Sequence, residues 1–201
     1  MKTKEQISHH VIILPGLSDN TVSIQLATKW WRIFGIETHI ASMGWKNPNT
    51  NLDQKLAEII DLARSLASNG RVSILGTSAG GSAAINTFLL DPKSIQKAVS
   101  VCGRLRAGKH NLRSLDKKSA CSPAFRQSVV ELEYQEPSMP DELRTRILTI
   151  TALFGDELVP RDTSKINGTN NIFVPSAEHV LTIGLSLTIF AKPIINFLRK
   201  V

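Results

Sequence analysis

Residues 71 to 90, RVSILGTSAGGSAAINTFLL, constrain the fold more than any other part of this chain. A short apolar strand (Val72 to Leu75) runs into a turn of small residues and then an apolar helix. The turn, Gly76-Thr77-Ser78-Ala79-Gly80, fits G-x-S-x-G. A serine on so sharp a strand-to-helix turn takes up a strained backbone conformation, with its hydroxyl lifted clear of the sheet. Side chains two residues before and after it would collide with the crossing helix, so glycine fits at both places. The helix that starts near Ala79 points its free N–H groups and positive end to where an oxyanion would form.

A serine presented in this way needs an acid and then a histidine further along the chain. Downstream, the apolar run Ile147 to Phe154 stops at Gly155-Asp156, which puts a carboxylate at the C-terminal tip of a strand. A further short strand, Ile172 to Val174, leads into a loop carrying His179. Upstream, a fully apolar strand ends in Pro15-Gly16-Leu17, a turn able to present the Leu17 N–H as a second oxyanion donor. Four pieces thus fall at the ends of four expected strands, in the required order.

On these residues the chain resembles the α/β-hydrolase family over nearly its whole length. The resemblance implies Ser78 as nucleophile, His179 as general base and Asp156 as the orienting acid. It implies the backbone N–H groups of Leu17 and Ala79 as the oxyanion hole. Proline stands where many relatives have histidine before Gly16, which is harmless because only the following N–H is used. Gly155 directly precedes Asp156, a shorter turn than relatives often have, and leaves Glu157 as the fallback acid. No histidine follows His179. His9 and His10 precede the first strand, His39 lies within a strand and His110 in a basic loop; all four read as structural or solvated.

Strand signals fall at 10–15, 36–41, 71–76, 96–101, 147–153 and 170–174. Helix signals fall at 21–34, 51–68, 79–90, 123–135, 160–167 and 185–199. The alternation predicts an α/β architecture: a doubly wound, mostly parallel sheet of about six strands with helices on both faces. The chain of 201 residues is expected to form one domain over 1–201. The only room for a cap is 102–146, holding one amphipathic helix, SPAFRQSVVELEYQ, so the lid is minimal and the site open.

Composition bounds the remaining classes. The first residues, MKTKEQISHH, carry charge and no long apolar run, and two cysteines, Cys102 and Cys121, suit free thiols in a reducing cytoplasm. The C-terminal run VLTIGLSLTIFAKPIINFL is broken by Lys192-Pro193 short of the ~20 residues a membrane span needs, and reads as a buried helix that is kinked at, or starts at, Pro193. The net charge is +7, and Arg104, Arg106, Lys109, Arg113, Lys117 and Lys118 oppose only Asp116 in one stretch. That stretch lacks the interleaved aromatics of a nucleic-acid surface, so it reads as a solvated loop near the site, and no nucleic-acid partner is expected. No metal-ligand cluster, P-loop or dinucleotide fingerprint is apparent, so neither a metal nor another cofactor is implied.

The chemistry expected is acyl transfer to water from a small-molecule ester or lactone of short or medium acyl length. Met43 and Trp45, after the second strand, either line an apolar acyl pocket or pack locally, and Arg104 stands where it could tune substrate choice. A thioesterase or serine peptidase of the same fold is the alternative within this class. A non-catalytic binding protein or a basic nucleic-acid-binding protein is the alternative outside it.

Overall fold

The computed structural model describes residues 8–108 and 114–200. Six strands form a single sheet in the order β2-β1-β3-β4-β5-β6, every neighbouring pair parallel. They are β1 (Ser8–Leu14), β2 (Ile36–Ile40), β3 (Gly70–Thr77), β4 (Ala98–Val101), β5 (Ile147–Ala152) and β6 (Asn170–Val174). The helices are α1 (Thr21–Thr28), α2 (Leu52–Ala67), α3 (Gly80–Leu90), α4 (Leu115–Ser119), α5 (Pro123–Gln135), α6 (Asp141–Thr145), α7 (His179–Leu187) and α8 (Lys192–Arg199).

Period-two alternation along the strands divides the core into two layers. Ile12, Leu14, Val72 and Ile74 face α2, α3 and α5, where Leu56, Phe88 and Val129 meet them. Val11, Ile13, Leu75 and Val99 face the other way, against Trp31 and the α8 residues Ile194, Ile195 and Leu198. Helix α3 is apolar nearly all round because it is covered nearly all round, from Gly80 to Phe88. Its polar side chains bond inside the protein: Asn86 Nδ2 donates to Ser128 O of α5 at 2.8 Å, and Thr87 Oγ1 donates to Ala83 O at 2.7 Å. The strand order reverses at β1, between β2 and β3, and ligands of such sheets sit at that switch, outside the carboxyl ends of the strands.

Several expectations need correction. The segment 21–34 is α-helical only to Thr28; a 3₁₀ turn, Lys29–Phe34, follows and ends at Gly35 with φ 74°. The helix expected over 160–167 is one 3₁₀ turn, Arg161–Thr163. The helix expected over 185–199 is two, α7 and α8, bent by 55°. Pro193 has no N–H to donate back into α7 but suits the first turn of a new helix, so the chain breaks before it and restarts. Among the described residues no single helix is long and apolar enough to cross a membrane. His9 and His10 lie within β1 and are buried.

The basic stretch is not a solvated loop where it leaves β4. The Arg104 side chain is 1% exposed, and its guanidinium donates to Arg106 O and Ala107 O, knotting its own loop. The Arg106 guanidinium grips both carboxylate oxygens of buried Glu136. Lys109, His110 and Arg113 lie outside the described residues, as does the Lys118 side chain. Within 102–146, helix α5 packs Phe125, Val129 and Leu132 into the core.

Candidate active site

Backbone sterics build the turn after β3. A Cβ on Gly76 would lie 1.9 Å from Gly80 O, and a Cβ on Gly80 would lie 2.2 Å from Leu14 O at the end of β1. The first glycine therefore admits the helix, and the second admits the neighbouring strand rather than the helix. Ser78, held between them, has φ 53°, a left-handed conformation that costs a non-glycine residue about 1–3 kcal/mol. Ser78 N–H donates to Val101 O at 2.9 Å, so β4 anchors the strained residue. A third glycine proves necessary: a Cβ on Gly16 would come within 2.8 Å of Ser78 Cβ.

The histidine arrives by helix capping. Glu178 is the N-cap of α7, accepting from the N–H groups of Val180 and Leu181, so His179 is the first residue of the helix. Its Nε2 lies 2.9 Å from Ser78 Oγ and its Nδ1 lies 2.7 Å from Asp156 Oδ2. An ionised carboxylate only accepts, so Nδ1 carries the proton and Nε2 offers its lone pair to the serine hydroxyl. The other Asp156 oxygen, Oδ1, accepts from Leu158 N and Val159 N, each at 2.8 Å. Burial alone would raise the Asp156 pKa. The hydrogen bond and charge of His179, with the two backbone donors, outweigh it and hold the carboxyl below its ordinary range.

Glu157 has a different task. Its carboxylate accepts from the His179 backbone N–H, at 3.0 Å from Oε2, and no hydrogen bond joins it to the ring. The short turn at Gly155, with φ 113°, therefore still delivers Asp156 to the imidazole.

Beside Ser78 and His179 lies a cavity of about 310 Å³, walled by Leu17, Ile24, Leu158, Val180 and Ile183. Among the described residues, none of 102–146 lines it; its walls are α1, α7 and the loops after β1, β3 and β5. Ile24, Leu158, Val180 and Ile183 went unnoticed in the sequence, where each looks like an ordinary apolar helix or loop position. Met43 and Trp45 do not line this cavity. Both are fully buried: Trp45 stands edge-on to Phe125, and its Nε1 donates to Pro15 O at 2.9 Å. They support the Pro15-Gly16-Leu17 turn from beneath. Arg104 is likewise absent from the cavity wall.

Asp19, which the sequence reading passed over, ties that turn in place. With φ 53° it accepts from Ser42 Oγ and from the N–H groups of Met43 and Gly44, the latter two at 3.0 Å. Its own N–H donates to Gly16 O at 2.8 Å. Ala79, directly after Ser78, caps α3 with backbone only.

No protein-family model matches the chain, and no curated protein matches it by sequence. Solved structures do match, across almost all of it. The monoacylglycerol lipase of Paleococcus ferrophilus superposes with a TM-score of 0.69 at 14% identity, over 94% of this chain and 93% of that one. A CIB-like hydrolase from Thermoplasma acidophilum gives 0.65 at 18% identity, over 99% and 90%. Est1E of Butyrivibrio proteoclasticus, solved with ferulic acid bound, gives 0.64 at 15% identity, over 97% and 92%. The protein has the α/β-hydrolase fold.

Proposed function

We propose that the protein is a serine hydrolase that cleaves short or medium acyl esters, lactones included, through an acyl-enzyme on Ser78. The observation that carries this reading is the unbroken chain from Ser78 Oγ through His179 to Asp156, at 2.9 and 2.7 Å. It opens onto an apolar cavity on a fold that esterases and lipases share. His179 removes the hydroxyl proton as Ser78 attacks the acyl carbon, then gives it to the leaving alkoxide. Asp156 fixes the imidazole tautomer and stabilises the imidazolium. The negative charge on the tetrahedral carbonyl oxygen is met by the N–H groups of Leu17 and Ala79. Water then repeats the cycle on the acyl-enzyme, releasing the acid.

The cavity of about 310 Å³ is small for an acyl pocket, which favours short and medium chains. No described residue of 102–146 stands in its wall, which favours an open site. Nitrophenyl esters from two to sixteen carbons, together with a lactone, an acyl thioester and a peptide, test the reading. A nitrophenol burst equal to the enzyme concentration is expected, with rates greatest at short or medium acyl length and no jump when the substrate aggregates. A peak at long chains that rises at an interface would make 102–146 a working lid. A protein with no turnover and no acyl-enzyme on any of these substrates would be a binding protein of the same fold.

A further inference from the structure

The opposite half of the sheet holds a second convergence of functional groups. Strand β2 is an edge strand, and its alternation puts Glu37 and His39 on one face. His10 of β1 is the direct register partner of Glu37, so its side chain meets both. His10 Nδ1 lies 3.1 Å from His39 Nε2 and 3.6 Å from Glu37 Oε2. The two rings are tilted by 51° with centroids 5.2 Å apart, so they converge through nitrogens rather than stack.

From these three residues we propose a binding site for a divalent transition metal of the zinc type, clamping edge strand β2 to β1. Tetrahedral zinc with bonds of about 2.0–2.1 Å separates its ligand atoms by about 3.3–3.4 Å. The observed 3.1 and 3.6 Å bracket that spacing, and all three ligand atoms lie within 4.8 Å of one another. Two imidazoles and one carboxylate suit zinc and its neighbours in the first transition row, and suit calcium or magnesium poorly. The Glu37 oxygens are already divided: Oε1 faces Arg32 Nη2 at 3.5 Å while Oε2 faces His10. Arg32 thus orients the carboxylate from outside, as outer partners of metal ligands do. The His10 side chain is 8% exposed and that of Glu37 43%, so the fourth coordination position opens to solvent at the sheet edge.

A second donor set, Cys102 with Asp156 and His179, is the competitor; a metal there would displace the hydrogen bonds of His179 to both Asp156 and Ser78, whereas the first set gives up only the His10–His39 hydrogen bond. The test is calorimetric titration of the full-length protein with zinc chloride, with cobalt chloride as a spectroscopic probe. One zinc per chain is expected, with a raised Tm and visible cobalt bands of tetrahedral intensity. Glu37→Gln and His39→Ala, both at partly exposed positions, should each weaken binding at least tenfold and abolish the Tm rise. His179→Ala should bind as the unaltered chain does. No saturable binding, or binding that survives His39→Ala, overturns the proposal; so does binding that disappears in His179→Ala. Each outcome is read without reference to ester hydrolysis.

Discussion

Strand β3 and the turn that follows it carry two serine–histidine contacts of equal length. Ser78 Oγ and His179 Nε2 are 2.9 Å apart, and so are Ser73 Oγ and His9 Nε2. What surrounds each pair differs in every respect that matters to chemistry. The His179 ring has a carboxylate on its far nitrogen; the His9 far nitrogen, Nδ1, is buried without a hydrogen-bond partner among the described residues. Ser78 sits on a strained turn beside a cavity, whereas Ser73 is mid-strand and fully buried. Burial first, then the charges of Arg71, Lys97 and His10, push the His9 pKa down to about 4, so that imidazole resists the proton a general base must accept. A serine beside a histidine is therefore only a hydrogen bond. On the proposed reading, the third group, the strain and the open space are what convert it into a nucleophile.

The largest contrast expected is between the two serines. Ser78→Ala should lower ester hydrolysis by about 10⁶-fold, as loss of a triad nucleophile does. Ser73→Ala should leave kcat unchanged while lowering stability by about 1–3 kcal/mol, because His9 Nε2 loses its partner. Equal losses of activity in steady-state assays would erase the distinction. Next come the two carboxylates. Asp156→Asn should reduce kcat by about 10⁴-fold through the wrong imidazole tautomer. Glu157→Gln, which keeps an acceptor for the His179 N–H, should cost less than about tenfold. The reverse ranking would move the acid by one residue.

Acid should separate the pairs in a third way. The unfolded chain protonates His9 near its ordinary 6.5, whereas the folded chain resists until about 4. Stability is therefore complete above the unfolded value and declines as pH falls from about 6.5 towards 4, by up to about 3 kcal/mol. His9→Gln should flatten that decline in urea titrations with a chelator present. Asp156, held below the ordinary carboxylate range, contributes stability above 3.8 that is lost only at lower pH. Its anion thus persists across the His9 window, so protonation of the acid should not limit activity there. The smallest effect concerns Arg104. Arg104→Ala should leave ester preference unaltered and cost about 2–3 kcal/mol, since buried bonds to Arg106 O and Ala107 O disappear. A changed preference between anionic and neutral esters would return it to the site.

The readable parts of this site were those set by local backbone constraint. Gly76 and Gly80 stand in the sequence because a Cβ at either place collides with backbone, and Asp156 and His179 stand where strands end. The unreadable parts depend on side chains distant in sequence. Nothing local distinguishes Trp45 supporting the Leu17 turn from Trp45 lining a pocket, nor an arginine folded into its own loop from one in water. Pro193 marked the start of α8, but the end of α7 at Leu187 was hidden because the apolar run continues through Thr188 to Phe190 while the helix does not. His10, Glu37 and His39 lie up to 29 residues apart and meet only through the β1–β2 register.

The central claim is that Ser78, and not the chemically similar Ser73, is the nucleophile. Intact-mass and peptide mass spectrometry after reaction with a fluorophosphonate probe tests it most directly. One adduct per chain on Ser78 is expected, slowed severalfold or more in Asp156→Asn and absent in Ser78→Ala. An adduct on any other residue, or labelling that persists in Ser78→Ala, would contradict the account.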